Sequence, residues 1–259
     1  MQKLTIVKVG GKIVEDAESL NQLLGDFSKI EGKKILVHGG GKSATAIAEK
    51  LGVKTEMVNG RRITNAEMLD VAMMVYGGLI NKNIVAKCQA YGLNAIGLTG
   101  ADMNIIKAVK RPVKDIDYGF AGDVVSVQSE HLSLLLKHGA VPVIAPLTHN
   151  GDGLILNTNA DTMAAEISKA LAPEFDCTLV YCFEKPGVLS NSGDDNSVIG
   201  RLEYESFKKY QEDGTINAGM IPKLDNGFDA IRNGVGEVVI TNSTALAKLN
   251  DLGTRLILN

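Results

Sequence analysis

The feature that most constrains the fold of this chain is a regular alternation of short apolar runs with longer segments of helical periodicity. The run Leu4–Val9 is followed by a helical segment at Ala17–Ile30, a second run at Lys34–Val37 and a second helical segment at Ser43–Leu51. Short apolar runs that alternate with helices are typical of βαβ units, whose strands are parallel and buried on both faces. The pattern predicts an α/β fold, a three-layer αβα sandwich with a central, mostly parallel sheet.

The alternation continues to the end of the chain. Further strands are predicted at Asn94–Leu98, Ala140–Ile144, Cys177–Cys182 and Glu237–Thr241. Further helices are predicted at Asn65–Ala90, Gln128–His138, Asn159–Ala170 and Lys223–Asn233. Because proline ends helices, Pro173 marks a boundary, and we expect an N-terminal lobe at residues 1–173 and a C-terminal lobe at 174–259. The polar segment Ser190–Gly200 indicates a surface loop.

Composition excludes several classes of protein. The 259 residues are 45% hydrophobic and 22% charged, which is typical of a globular protein and not of a disordered or coiled-coil chain. The net charge of −3 offers no basic surface, so nucleic acid is not an expected partner. We also expect no membrane segment, since no run approaches about 18 apolar residues, and we expect a cytoplasmic protein. The three cysteines form no Cys-x-x-Cys pair and are predicted to be ordinary buried thiols.

Two glycine-rich turns follow the first two predicted strands. Lys8–Lys12 reads Lys-Val-Gly-Gly-Lys, and His38–Ser43 reads His-Gly-Gly-Gly-Lys-Ser. Ligands of open parallel sheets bind beyond the carboxyl ends of the strands, where glycines let backbone N–H groups approach an anion. The turns therefore predict a phosphate site, although tight turns with solvated lysines have the same sequence.

The second turn also fits a different class of protein. Gly39, Gly41 and Ala44 match the Gly-x-Gly-x-x-Ala pattern of nicotinamide-dependent oxidoreductases. That class needs an acidic residue about 20 residues further on, at the end of the next parallel strand. Glu56 has roughly this spacing, but Glu56–Arg62 reads as a hairpin with an Asn-Gly turn. An NAD-dependent oxidoreductase therefore remains an alternative, although the acidic residue that this class needs is not found at the end of a predicted parallel strand.

Three further segments carry charged or capping residues. Arg62 could bind a carboxylate through two parallel hydrogen bonds. In Asn157–Asp161, Asn159 could cap a helix whose first turn holds Asp161. In Gly219–Lys223, proline and lysine open a helix whose N-terminus could face phosphate. Each segment alone also fits an ordinary surface charge, cap or helix start.

Taken in order, these five segments resemble the amino acid kinase superfamily and, within it, its acylglutamate branch, the N-acetylglutamate kinases. Lys-x-Gly-Gly and the glycine turn are shared widely in the superfamily. Asn-Gly-x-Arg-x-Thr, Asn-x-Asn-Ala-Asp and Gly-Met-x-Pro-Lys look like the acylglutamate branch. The resemblance covers essentially the whole chain. It implies an ATP-dependent kinase that phosphorylates the side-chain carboxylate of N-acetylglutamate, or of another N-acylglutamate such as N-succinylglutamate, in arginine biosynthesis.

The resemblance also implies roles for individual residues. Lys8 would bind the transferring phosphoryl group, Lys223 would hold the ATP phosphates, and Asp161 would orient both lysines. The phosphate-binding residues would be Gly10, Gly11 and Gly40, and the substrate-binding residues Gly40, Gly41, Arg62 and Asn157. The nucleotide-binding residues would be Glu184, Gly187 and Met220. Mg²⁺ would arrive with the nucleotide, without a metal site on the protein.

The chain departs from the family pattern in two places. Phe183–Gly187 stands where relatives read Thr-Asp-Val-Pro-Gly. Thr99–Asn104 also differs from relatives, and we expect it to border the acyl pocket, which leaves the acyl group open. Glutamate or N-acylaminoadipate as the substrate remains an alternative. A catalytically silent amino-acid sensor of this fold would have lost a charged residue, whereas Lys8, Asp161 and Lys223 are all present.

The helix predicted at Asn65–Ala90 bears on assembly. Its predicted core stripe consists of Met68, Val71, Ala72, Val75 and Leu79, and Met73, Met74 and Ile80 add apolar side chains on other faces. A helix that is apolar over most of its surface is covered on more than one side, and relatives pair this helix in a homodimer. Arginine-inhibited relatives carry an extra N-terminal helix. Two residues precede Lys3 here, so we expect a dimer that is insensitive to arginine.

Overall fold

The computed structural model describes residues 1–58, 60–216, 219–248 and 252–258. The strands are β1 (Gln2–Val9), β2 (Lys33–His38), β3 (Glu56–Val58), β4 (Arg61–Ile63), β5 (Ala95–Leu98), β6 (Ile106–Lys110), β7 (Ala121–Val127), β8 (Val141–Ile144), β9 (Leu147–His149), β10 (Ile155–Thr158), β11 (Phe175–Phe183), β12 (Arg201–Glu203), β13 (Glu237–Asn242) and β14 (Thr254–Ile257). The α-helices are α1 (Gly11–Glu15), α2 (Ala17–Lys29), α3 (Gly41–Lys50), α4 (Ala66–Ala72), α5 (Asn81–Ala90), α6 (Ser129–Lys137), α7 (Ala160–Leu171), α8 (Tyr204–Glu212) and α9 (Ile221–Arg232). A π-helix spans Met73–Ile80, and short 3₁₀ helices span Asp102–Asn104 and Ser243–Lys248.

Most of the predicted strands lie in one central sheet. Within the described ranges its strand order is β12-β14-β13-β11-β1-β2-β8-β5. β1 pairs in parallel with β2 on one side and with β11 on the other, and β13 with β14 is the antiparallel pair. The predicted mostly parallel sheet is therefore confirmed.

Alternation along β1 shows why helices cover both faces of this sheet. Leu4 and Ile6 are buried in one hydrophobic cluster, with residues of α6, α7, α8 and α9. Val7 and Val9 are buried in a second cluster, with residues of α1 to α5. Successive side chains of a strand point to opposite faces, so two helical layers enclose one sheet, and the αβα sandwich is confirmed. By the same alternation, Lys8 lies on the α7 face.

A small closed barrel of strands β10-β7-β6-β9 was not predicted. β9 has three residues and β10 has four, and β7 mixes glycine, aspartate and serine with its valines, so these segments lack the continuous apolar runs of the central strands. The barrel matters for the site because β10 leads directly into α7. It brings Asn157 and Asp161 to the same end of the molecule as the glycine turns.

The predicted helix at Asn65–Ala90 is continuous but not uniform. It consists of α4, the π-helix and α5 in succession. In a π-helix residues five apart face the same way, so the buried face steps from Val75 to Ile80. The prediction that Leu79 belongs to the core stripe is wrong, because 52% of its surface is exposed, whereas the other four members of that stripe are buried.

Several smaller predictions concern loops and cysteines. β3 pairs antiparallel with β4, which confirms the predicted hairpin, although Asn59 of its turn lies outside the described residues. The three cysteines are free and buried, and burial raises the pKa of Cys182 to about 12. The chain turns at residues 172–174, between α7 and β11. The division into lobes at residue 173 stays a prediction. β1 and β11, which lie on either side of residue 173 in the sequence, are neighbouring strands of one sheet.

A buried histidine ties the second glycine turn to the π-helix end. The Nδ1 of His38 lies 2.8 Å from the carbonyl oxygen of Gly39, and the amide nitrogen of Asn81 lies 3.2 Å from its Nε2. Asn81 also donates to the carbonyl oxygen of Val143 at 2.9 Å. Both ring nitrogens are used by a neutral imidazole with its proton on Nδ1. Burial lowers the pKa of His38 to about 4.

The lowered pKa of His38 predicts a loss of stability in acid. Between about pH 6.5 and pH 4 the unfolded chain binds more protons than the folded chain, so the free energy of unfolding falls as the pH falls. The full window corresponds to about 3 kcal/mol. Urea unfolding at pH 7 and pH 4.5 should therefore show a smaller pH dependence for His38→Gln than for the unsubstituted protein. The exposed His138, changed to Gln, is the matched control, and equal pH dependence of all three proteins would contradict the prediction.

Candidate active site

The two glycine turns lie side by side where β1 and β2 end. The N–H of Gly10 donates to the carbonyl oxygen of Cys182 at 2.9 Å, and the N–H of Gly39 donates to that of Val9 at 3.0 Å. These bonds extend the ladders of the parallel sheet into the turns. Since β1 and β2 are neighbours, both turns reach the same edge of the sheet, as the sequence predicts.

The two turns pack closely against each other and against the π-helix. A methyl group on Gly11 would lie 3.5 Å from the backbone nitrogen of Gly40, in ordinary contact. A methyl group on Gly40 would lie 2.2 Å from Cδ1 of Ile80, so Ile80 would have to move to admit a side chain there. The turns therefore face each other across a gap of about one atom, lined by backbone N–H groups, and such a concave surface favours an anion.

Three charged side chains from distant parts of the chain meet beside the turns. Lys8 extends from β1, Asp161 from the first turn of α7, and Lys223 from the first turn of α9. The Nζ of Lys8 lies 2.7 Å from Oδ1 of Asp161, and the Nζ of Lys223 lies 3.1 Å from its Oδ2. One carboxylate thus holds two ammonium groups, and this set is called the Lys8–Asp161–Lys223 chain.

Asp161 is fixed and charged by its surroundings. Burial alone would raise its pKa, but the charges of Lys8 and then Lys223 outweigh this effect, and the pKa lies below the usual value for aspartate. The side chain of Asn159 accepts from the N–H of Thr162 at 3.0 Å, which confirms the predicted cap. The hydroxyl of Tyr181 donates to the backbone carbonyl of Asp161 at 3.1 Å. The first turn of α7 is therefore held against both β10 and β11.

A cavity of about 210 Å³ opens beside the Lys8–Asp161–Lys223 chain. Its walls come from the second glycine turn, the hairpin, the π-helix and the end of the barrel, namely Gly39, Gly40, Gly41, Met57, Gly60, Arg61, Arg62, Tyr76, Arg111, Ala121, Gly122, Pro146, Asn157, Thr158, Asn159 and Ala160. All four predicted substrate-binding residues belong to this lining. Lys8, Asp161 and Lys223 lie outside it, although Asp161 directly follows Ala160.

Arg62 and Asn157 are built into the cavity wall. Nη2 of Arg62 donates to the carbonyl oxygen of Gly41 and to the hydroxyl of Thr45, both at 2.8 Å. The side-chain amide of Asn157 donates to the hydroxyl of Thr64 at 3.0 Å. Arg62 thereby ties the hairpin to α3, and both protons of Nη2 have acceptors within the protein. Its Nη1 also donates to the sulfur atom of Met68 at 4.0 Å.

The structure brings two of the three predicted nucleotide-binding residues together, Gly187 and Met220, whereas Glu184 lies apart from them. The carboxylate of Glu184 pairs with the ammonium of Lys12 at 2.9 Å, at the mouth of the first glycine turn. Gly187 and Met220 line a separate small cavity of about 50 Å³. A methyl group on Gly187 would lie 2.8 Å from the hydroxyl oxygen of Thr254, so close packing also explains this glycine.

The variant stretch Thr99–Asn104 does not line the cavity. The backbone N–H and the hydroxyl of Thr99 both donate to Oδ2 of Asp102, at 2.6 and 2.8 Å. These bonds close the stretch into a turn of its own. The expectation that it borders the acyl pocket therefore has no support in this cavity, and the acyl group must be read from other residues.

Several residues of the site were missed in the sequence. Tyr76, Arg61 and Arg111 line the cavity, and Glu15 accepts from the backbone N–H of Ser43 at 2.7 Å, in the first turn of α3. Arg61 adjoins the recognised Arg62 and could have been found from that neighbour. Arg111 lies in no recognisable motif, and it reaches the cavity through the unpredicted barrel.

Two further observations are limited to the described part of the chain. Within it, no set of three or more His, Cys, Asp or Glu side chains is arranged so that it could hold a metal ion. Every helix in the described ranges is too short or too polar to cross a membrane.

Comparison with known proteins places the chain in a family. The sequence profile of the amino acid kinase family matches residues 3–242. The chain is 62% identical over 255 residues to acetylglutamate kinase of Bacteroides fragilis, covering 98% of this chain and 97% of that protein. It is 64% identical over 245 residues to acetylglutamate kinase of Phocaeicola vulgatus, with 95% of each covered. N-acetylglutamate synthase of Neisseria gonorrhoeae, solved with coenzyme A and N-acetyl-glutamate, has the same fold, with a TM-score of 0.83 at 20% identity over 98% of this chain and 59% of that one. The chain belongs to the amino acid kinase family.

Proposed function

We propose that this chain is an acetylglutamate kinase, which transfers the γ-phosphoryl group of ATP to the side-chain carboxylate of N-acetylglutamate in arginine biosynthesis. The observation that carries the proposal is the Lys8–Asp161–Lys223 chain, lying between two glycine turns and a cavity lined by Arg62 and Asn157. The names of the relatives at 62% and 64% identity support the substrate.

Charge compensation is the main chemical demand of this reaction. An anionic carboxylate must approach the terminal phosphate of a polyanion, and negative charge spreads over the transferring group. Lys8 and Lys223 supply two ammonium groups whose positions Asp161 already determines. Donors that are ordered before the reaction need no reorganisation during it. This electrostatic preorganisation makes the largest contribution to the rate enhancement of many enzymes. The N–H groups of Gly11 and Gly40 add uncharged donors from the opposite side.

The nucleophile requires no activation. A glutamate side chain has a pKa near 4.3, so it is ionised at pH 7 without a general base. One of its oxygens forms the new bond to the γ-phosphorus, the bond from that phosphorus to the bridging oxygen breaks, and ADP leaves. Magnesium, bound to the nucleotide, would neutralise phosphate charge that the protein's own cations leave uncompensated.

The cavity favours an acylated glutamate as the substrate. Arg62 offers its remaining N–H groups to the α-carboxylate, and Asn157 offers an amide to the acyl end. Free glutamate would bring an ammonium group into a cavity whose charged lining consists of arginines. Another acyl group, such as succinyl, and another acceptor, glutamate or N-acylaminoadipate, remain the alternatives for the same machinery. The oxidoreductase alternative is disfavoured because Glu56 lies in an antiparallel hairpin.

We also propose a cytoplasmic homodimer. The exposed face of the π-helix carries Met73, Met74 and Leu79, which are 39%, 55% and 52% exposed. Three large apolar side chains within seven residues form a surface that a second copy of the chain would cover. Relatives of this family pair the same helix, which supports this choice of partner.

Removal of either lysine is expected to slow the chemical step. Lys8→Met and Lys223→Met should each lower kcat about 100-fold or more, because each deletes one donor aimed at the transferring phosphoryl group. Lys50→Met is the matched control, since Lys50 is exposed at the far end of α3. Initial rates of ADP formation, with melting temperatures of the same samples, test this. A Lys8→Met enzyme with near-normal kcat would remove Lys8 from the mechanism.

Arg62→Lys is expected to raise KM for N-acetylglutamate about tenfold. A single ammonium cannot keep the bonds to Gly41 and Thr45 and also grip a carboxylate with two donors. KM for ATP should change little. In the exposed control Arg201→Lys, neither KM value should change. An equal rise in both KM values would argue that Arg62 supports the whole site and not the substrate.

The dimer can be tested through one exposed side chain. Met74→Lys should give a monomer in multi-angle light scattering, because a buried ammonium in an apolar interface has no partner. Leu134→Lys, at a similarly exposed position on α6, should leave the mass of the unsubstituted protein unchanged. A dimeric Met74→Lys protein would exclude this face from the interface.

A further inference from the structure

Arg61 lines the substrate cavity without a partner from the protein. Its side chain makes no hydrogen bond and no ion pair with any residue in the described ranges, although it is partly buried. Arg62 and Arg111, the other arginines of the lining, both have acceptors at hydrogen-bond distance. Arg61 therefore keeps its five N–H donors uncommitted.

The carboxylate of Asp123, whose charge acts on Arg61, is already paired with Arg111. Nε of Arg111 donates to both oxygens of Asp123, at 3.1 and 3.2 Å, and its Nη2 forms a further close ion pair with the same group. The guanidinium of Arg111 also lies over the ring of Tyr118, 5.5 Å from its centre. Asp123 thus neutralises Arg111, and the positive charge of Arg61 remains unpaired on this side of the cavity.

The position of Arg61 is electrostatically unfavourable in the empty cavity. Burial lowers its pKa, and the charge of Arg111 lowers it further, while Asp123 and Tyr118 act in the opposite direction and more weakly. Partial burial of an unpaired charge costs free energy that a bound anion would restore. Such an arrangement favours a ligand with a carboxylate at this side of the cavity.

Arg61 and Arg62 point to opposite sides of β4. They are consecutive on β4, so their side chains leave opposite faces of the strand. Arg62 turns toward Gly41 and Thr45. Arg61 pairs in register with Val58, whose carbonyl oxygen lies 3.5 Å from the hydroxyl of Tyr118, beside Arg111. The hairpin therefore presents two guanidinium groups on two sides of the strand.

We propose that Arg61 is a specificity-determining residue that binds a carboxylate of the acylglutamate substrate, separately from Arg62. The inference rests on the proposed function, since it presumes an acylglutamate in this cavity. The carboxylate has two possible sources, the α-carboxylate of the glutamate or a carboxylate at the end of the acyl group. N-acetylglutamate carries the first of these, and N-succinylglutamate carries both.

The experiment compares Arg61→Met with two controls. Arg61→Met removes the charge and keeps the length of the side chain, and Arg61→Lys keeps the charge without the two-pronged geometry. Arg201→Met removes one exposed arginine from β12, at the opposite end of the sheet order from the cavity. For each protein, KM and kcat are measured with N-acetylglutamate and N-succinylglutamate, and calorimetry gives the affinity for each compound without turnover.

Arg61→Met should raise KM and Kd at least tenfold for the compound whose carboxylate Arg61 binds, with kcat and KM for ATP nearly unchanged. An equal rise for both compounds identifies the α-carboxylate, and a rise for N-succinylglutamate alone identifies the acyl carboxylate. Arg61→Lys should lie between Arg61→Met and the unsubstituted enzyme. Values for Arg61→Met that match those of Arg201→Met with both compounds would overturn the proposal. If the unsubstituted enzyme phosphorylates neither compound, the proposed function has failed, and the calorimetric affinities still decide whether Arg61 binds a carboxylate.

Discussion

The arrangement of this molecule depends on one carboxylate shared between two lysines. Asp161 brings together β1, α7 and α9, which lie far apart in the chain, and it neutralises ammonium groups that would otherwise repel each other. Each of these elements also carries its own part of the site. β1 leads into the first glycine turn, α7 follows the barrel strand with Asn157, and α9 opens beside Met220. The pairing that orders the charges therefore also aligns the three segments that surround them.

Much of the fold was predictable because long parallel sheets leave a strong pattern. Strands buried on both faces read as continuous apolar runs, and the prediction located β1, β2, β8 and β13 to within about two residues. The glycine turns and the capped helix at Asn159 were also recognisable, since turn geometry restricts the residues that can occupy it. The pairing of Lys8 with Asp161 was expected only from the resemblance to the family, because no local pattern connects the two segments.

The remaining parts of the site depend on contacts between segments distant in the chain. Arg111 reaches the cavity through a barrel whose strands lack the continuous apolar runs of the central sheet. Leu79 was assigned to the core because the prediction assumed 3.6 residues per turn throughout, whereas the π-helix inserts a longer turn there. Gly187 was assigned to the nucleotide, yet its close approach to Thr254 accounts for it equally well. Local sequence does not distinguish a glycine required by packing from one required by a ligand.

The π-helix lies between the second glycine turn and an exposed apolar surface. Ile80, at its end, lies against Gly40, and the next residue, Asn81, holds His38 beneath the same turn. An ordinary α-helix advances about 100° per residue, more than a helix with i→i+5 hydrogen bonds, so it would place these side chains at different angles to the turn. The same eight residues present Met74 and Leu79 on their outer surface. The thickness of a single helix therefore separates that apolar surface from the backbone of the second glycine turn.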